Sequence, residues 1–95
     1  MVRNGTIAFF GTGVFLGGIT NSVRVENLQV HGNSHFGINV GSGAIVNANS
    51  VHDNGSTGIW VRSSVTNGDG ALVTNNLVLD NGSDGILIQE PGSTV

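Results

Sequence analysis

Val46-Asn47-Ala48-Asn49-Ser50-Val51-His52-Asp53-Asn54-Gly55-Ser56-Thr57-Gly58-Ile59-Trp60-Val61 is the stretch that decides the fold. Apolar and polar residues alternate in both of its halves, as in strands with one buried face, and an Asp-Asn-Gly turn joins them. The same frame recurs on either side. Its first half returns as Val2 to Ile7, Val25 to Val30 and Val73 to Val78, each with an asparagine inside. Its second half returns as Gly13-Val14-Phe15-Leu16, Gly37-Ile38-Asn39-Val40 and Gly85-Ile86-Leu87-Ile88. With Ile7, Val30, Val51 and Val78 as anchors, successive copies lie 23, 21 and 27 residues apart. A period in that range, built of short strands and Asn/Gly turns, is the mark of a solenoid.

Superposing the copies produces four apolar columns. They are Val2, Val25, Val46, Val73; Ile7, Val30, Val51, Val78; Val14, Ile38, Ile59, Ile86; and Leu16, Val40, Val61, Ile88. Every member is β-branched or leucine. A helical reading fails, because Gly, Asn and Val dominate and no 3.6-residue period appears. The competitor is a meander of antiparallel hairpins, since Asn-Gly occurs at Asn4, Asn54, Asn67 and Asn81. Hairpins do not require matching columns every twenty-odd residues, so the spacing predicts a single all-β solenoid over 1–95. Its four coils are about 1–22, 23–43, 44–70 and 71–90, with a tail over 91–95.

The turn residues fit this scheme. Asn4, Asn27 and Asn75 share a column, with Asn49 and Asn76 one residue on, and Asn33, Asn54 and Asn81 form another, broken by Phe10. Asparagine tolerates the left-handed backbone of a sharp bend, and its amide can bond to the amide of the next coil. Gly13, Gly37, Gly58 and Gly85 mark a further bend. Asn4-Gly5-Thr6, Asn54-Gly55-Ser56 and Asn81-Gly82-Ser83 are also glycosylation sequons, although turn chemistry explains them better.

The motifs Val46 to Ile59 and Val73 to Ile88 resemble right-handed parallel β-helix repeats, as found in pectate lyase-like proteins, mannuronan C5-epimerases and phage tailspikes. The resemblance covers nearly the whole chain. It implies a right-handed parallel β-helix, a carbohydrate-active or polysaccharide-binding role and an extracellular setting. It does not bring an active site with it. The chain has no tyrosine and no lysine. It also lacks the Asp-Pro-His-Glu motif of the epimerases and the Asp-Asp, Gly-His-Gly and Arg-x-Lys motifs of polygalacturonases.

Composition narrows the partners. A chain of 95 residues forms one small domain, able to bury about 65% of its unfolded surface. There is no cysteine, so neither a disulfide framework nor a thiolate metal site is available. Arg3, Arg24 and Arg62 are the only strong cations and the net charge is −3, which disfavours nucleic acid. The apolar stretch from Ile7 to Ile19 is interrupted by glycines and too short for a bilayer span. No secretory leader pattern follows Met1.

The candidates for chemistry are few. His31 and His52 share a column, as do Asp53 and Asp80, and stacked coils lie about 4.8 Å apart. Two carboxylates at that separation suit a hard cation such as calcium, or a retaining acid–nucleophile pair. They equally suit two solvated turns, and the histidines an exposed stack with no third ligand fixed beside it. In an enzyme reading, Asp53 or Asp80 is the base or cation ligand and Arg62 the partner of a uronate carboxylate. No cofactor is required. Between Val61 and Val73 the third coil makes its longest excursion, and Asn67-Gly68-Asp69-Gly70 within it resembles a fragment of a calcium loop.

The outward positions carry a second message. Phe15, Asn39, Trp60 and Leu87 alternate with inward residues and are expected to face out, and three of the four are large and apolar. Phe9 and Phe10 crowd the first coil with Phe15. Such residues suit a sugar-stacking platform, a plug folded over the open end of the core, or a surface covered by another subunit. The leading expectation is a self-associating structural or binding module, most simply a homodimer. A carbohydrate-active β-helix, or a piece of one, is the alternative.

Overall fold

The computed structural model describes residues 2–16, 23–41, 43–62 and 71–89, with the backbone alone at Arg62 and Gln89. Ten strands follow one another: β1 (Val2–Ala8), β2 (Val14–Leu16), β3 (Arg24–His31), β4 (Ile38–Val40), β5 (Ile45–Asn47), β6 (Ser50–His52), β7 (Ile59–Arg62), β8 (Leu72–Thr74), β9 (Leu77–Leu79) and β10 (Ile86–Gln89). One sheet stacks β1 on β3, then β5 and β6, then β8 and β9. The other stacks β2, β4, β7 and β10. Every pairing is parallel. The hairpin alternative is therefore excluded, and the Asn-Gly pairs at Asn54 and Asn81 lie in coil corners rather than hairpin tips.

The register reproduces the four apolar columns member by member. Each sheet has four rungs, and the anchors advance through three turns between the first and the last. The columns form the core. In the two middle rungs Val25, Val30, Ile38, Val40, Val46, Val51, Ile59 and Val61 are completely buried. Each stabilises the fold by roughly 1.5–3 kcal/mol relative to exposure. Val2, Ile7, Leu16, Val78, Ile86 and Ile88 of the outer rungs are only partly buried, because among the described residues those rungs have a neighbour on one side only.

Two left-handed corners shape each coil. At the first corner Asn4, Asn27, Ala48 and Asn75 have φ of 61°, 56°, 57° and 56°. At the second, Phe9, Gly32, Asp53 and Asp80 have φ of 65°, 66°, 55° and 51°. The asparagines Asn33, Asn54 and Asn81 thus do not make the bend themselves, as their column suggested. The residue before each one bends, which leaves the amide free to stack. Asn33 Nδ2 donates to Asn54 Oδ1, and Asn54 Nδ2 to Asn81 Oδ1, both at 2.9 Å. Asn49 and Asn76 make the equivalent ladder after the first corner, with Asn49 Nδ2 donating to Asn76 Oδ1 at 3.0 Å. Asn54 is buried within its ladder with its Nδ2 donating to Asn81 Oδ1 and the Val30 carbonyl, so it does not present its amide as a glycan acceptor.

The glycine column does mark a bend, but positive φ is not the reason. A Cβ on Gly37 would lie 2.6 Å from the Gly58 carbonyl oxygen, and one on Gly13 would lie 2.7 Å from that of Gly37. Side-chain-free backbone is needed because successive coils touch there.

Candidate functional site

The titratable cluster is assembled by the second corner. His31 and His52 are register partners on β3 and β6, one residue past the buried anchors Val30 and Val51, so their rings point outward. Their centroids are 5.0 Å apart and their planes differ by 4°. Phe9 extends the stack, meeting His31 edge-on at 5.9 Å. His52 Nδ1 and Asp53 Oδ2 are 2.8 Å apart on the open surface, where such a pair contributes little to stability.

Asp53 and Asp80 occupy one column on neighbouring rungs, as their spacing indicated, but that column is the left-handed corner itself. Their equivalents are Phe9 and Gly32, so what the position shares across rungs is a backbone conformation. Aspartate is among the few non-glycine residues that adopt it readily. Among the described residues no group of three or more His, Asp or Glu is placed to hold a metal ion. His35 lies in the turn beyond Asn33 and does not complete such a group. Arg62 closes β7 in the other sheet, and its side chain lies outside the described residues. So does the excursion containing Asn67 and Asp69.

A second polar surface lies along the first corner, a groove of about 670 Å³ running over all four rungs. Asn4, Asn27, Ala48 and Asn75 line it, as does the outward row Thr6, Gln29, Ser50 and Leu77. No lining residue carries a charge. Outside it, Arg3 and Arg24 each approach Glu26 at 3.9 Å on the adjoining strand surface.

The outward apolar row is only partly what alternation suggested. Phe15, Asn39, Trp60 and Leu87 are register partners, and Phe15 is 68% exposed. Trp60 and Leu87 are half-buried, and Trp60 packs against Phe36 with centroids 4.7 Å apart. Asn39 does not face water: it is 4% exposed, and its Oδ1 is buried without a hydrogen-bond partner. Phe9 and Phe10 are 83% and 62% exposed, so neither folds over the core as a plug.

Four parallel rungs, two asparagine ladders and an apolar interior restrict the comparison to solenoids. The family model described as "Right handed beta helix region" matches residues 1–95. The chain belongs to the right-handed β-helix family. No curated protein and no solved structure matches it. Among the described residues the β-helix has no helix long and apolar enough to cross a membrane.

Some surface residues of this β-helix escaped the sequence reading. Phe36, the partner of Trp60, lies in a turn where no alternation marks it. Leu72, Leu77 and Leu79 are exposed on the outer face of the last rung, in columns that hold Ile45, Ser50 and His52 one rung earlier. Following the outward columns as closely as the inward ones reveals both these leucines and the uncharged lining of the groove.

Proposed function

We propose that this β-helix is a self-associating binding module rather than a self-contained enzyme. The observation that carries the reading is the first rung, which leaves Phe9 and Phe10 in the bend after β1, and Phe15 on β2, largely in water beside strands that, among the described residues, are paired on one side only. Aromatic surface of that extent beside an unpaired edge favours a covering partner. A second copy meeting it about a two-fold axis buries the same patch on both chains and blocks further end-to-end addition. The apolar area removed from water contributes about 25 cal/mol per Å², against which the loss of translational and rotational freedom must be set. The turn role of Asp53 and Asp80 supports the same reading, since it accounts for both carboxylates without catalysis. Static light scattering is the test. Wild type should have the mass of a dimer, and Phe10→Ser should be monomeric with an unchanged circular dichroism spectrum. A monomeric wild type overturns the proposal.

A second reading, carbohydrate recognition, is favoured by the uncharged groove at the first corner. Amides and hydroxyls repeated on every rung are the groups that bind sugar hydroxyls, and the fold family is compatible with such a role.

A further inference from the structure

Ala48 breaks the pattern of the first corner. The other three rungs place asparagine there, and the third places alanine at φ 57°. Alanine has neither the freedom of glycine nor a side-chain amide to bond locally, so it suits that backbone less well than either. A residue held in a conformation it disfavours, in the lining of a groove, points to function.

What alanine supplies is room. Asn27 Nδ2 donates to Asn4 Oδ1 at 2.8 Å, so the amide row is continuous over the first two rungs. It then stops. Asn27 and Asn75 stand two rungs apart, about 9.6 Å at about 4.8 Å per rung, and the corner position between them carries only the Ala48 methyl. Asn75 Nδ2 turns aside to Asn47 Oδ1 at 3.2 Å. Asn27 Oδ1 accepts no hydrogen bond among the described residues. The gap is flanked by Gln29, Ser50 and Leu77 of the same groove.

We infer that the gap over Ala48 seats one ring of an uncharged, linear oligosaccharide lying along the coil axis. This rests on the carbohydrate-recognition reading and specifies its site and ligand. Amide and hydroxyl groups both donate and accept, as sugar hydroxyls do, and the exposed Leu77 offers apolar contact to ring C–H groups. Within the groove a polyanion meets no cation, since the adjoining Arg3 and Arg24 both face Glu26, and a metal ion meets no carboxylate among the lining residues. The ligand is therefore neutral, unlike the polyuronates that the Asp53, Asp80 and Arg62 set would have served.

The test is amide-resonance mapping of the ¹⁵N-labelled full chain with cellohexaose, xylohexaose and hexagalacturonate. A neutral hexaose should shift Asn27, Ala48, Ser50 and Asn75. Ala48→Asn, which completes the amide row and fills the gap, should weaken that binding by about tenfold or more while melting at or above the wild-type temperature. Ala48→Gly keeps the gap and relieves the backbone, and should bind as wild type does. Unchanged affinity in Ala48→Asn overturns the inference, as does a stronger response of the same residues to hexagalacturonate. If a neutral hexaose moves only Phe15 and Trp60, this site is wrong but carbohydrate recognition stands. If none of the three sugars binds, both fail.

Discussion

A single methyl group shows how tightly the coils are stacked. The Cβ of Gly37→Ala would press on the Gly58 carbonyl oxygen and on Val51 Cγ1, each 2.6 Å away, and neither can retreat from a packed column. On the last rung the nearest atom to a Cβ at Gly85 is Val78 Cγ1 at 3.7 Å, an ordinary contact. Gly37→Ala is therefore expected to destabilise the protein by about 1–3 kcal/mol, and Gly85→Ala by less than about 0.5 kcal/mol. Chemical denaturation of the two variants beside wild type checks the difference, and equal losses would contradict close coil contact as the cause. The glycine column was visible in the sequence, but its reason was not. Spacing alone cannot distinguish a glycine needed for φ from one needed for space. Asp53 and Asp80 present the same difficulty, because a carboxylate column reads alike whether it serves a cation or a bend.

The ladders are the elements that hold each corner to the next. Asn54 is fully engaged: its Oδ1 accepts from the Asn33 backbone N–H and from Asn33 Nδ2, and its Nδ2 donates to Asn81 Oδ1 and to the Val30 carbonyl. Asn54→Asp keeps the shape but loses both donated bonds and places a carboxylate against two acceptor oxygens. A loss of about 2–4 kcal/mol is expected, read as a fall in the denaturation midpoint with an unchanged slope. Asn4, by contrast, is exposed and joined to the next rung by one side-chain bond. Asn4→Asp should cost less than about 1 kcal/mol. If the two substitutions cost the same, the ladder is not a main support of the corner.

For the molecule as a whole, stability should fall from the middle rungs outward. Solenoid stability is close to a sum over neighbouring rungs, and among the described residues an outer rung has one such neighbour. Ladder amides of β3, β5 and β6 should exchange with solvent roughly tenfold more slowly, or slower still, than those of β8 and β9. If chains associate through the first rung, raising protein concentration should slow exchange in β1 and β2 and leave β8 and β9 unchanged. Concentration-independent exchange at β1 would count against that mode of association.

The sequence by itself determined the all-β coil, the four inward columns and their register, because burying one face of every strand forces a two-residue alternation that survives superposition of the copies. It also determined that asparagine and glycine belong at the corners. Only the tertiary structure decided which corner residues bend and which stack, that Asn39 is hidden on a nominally outward row, and that Phe9 and Phe10 remain in water. It also showed that the first corner opens into an uncharged groove with Ala48 in its lining. Those features depend on how separate coils meet in space, and alternation records only which side of its own strand a residue occupies.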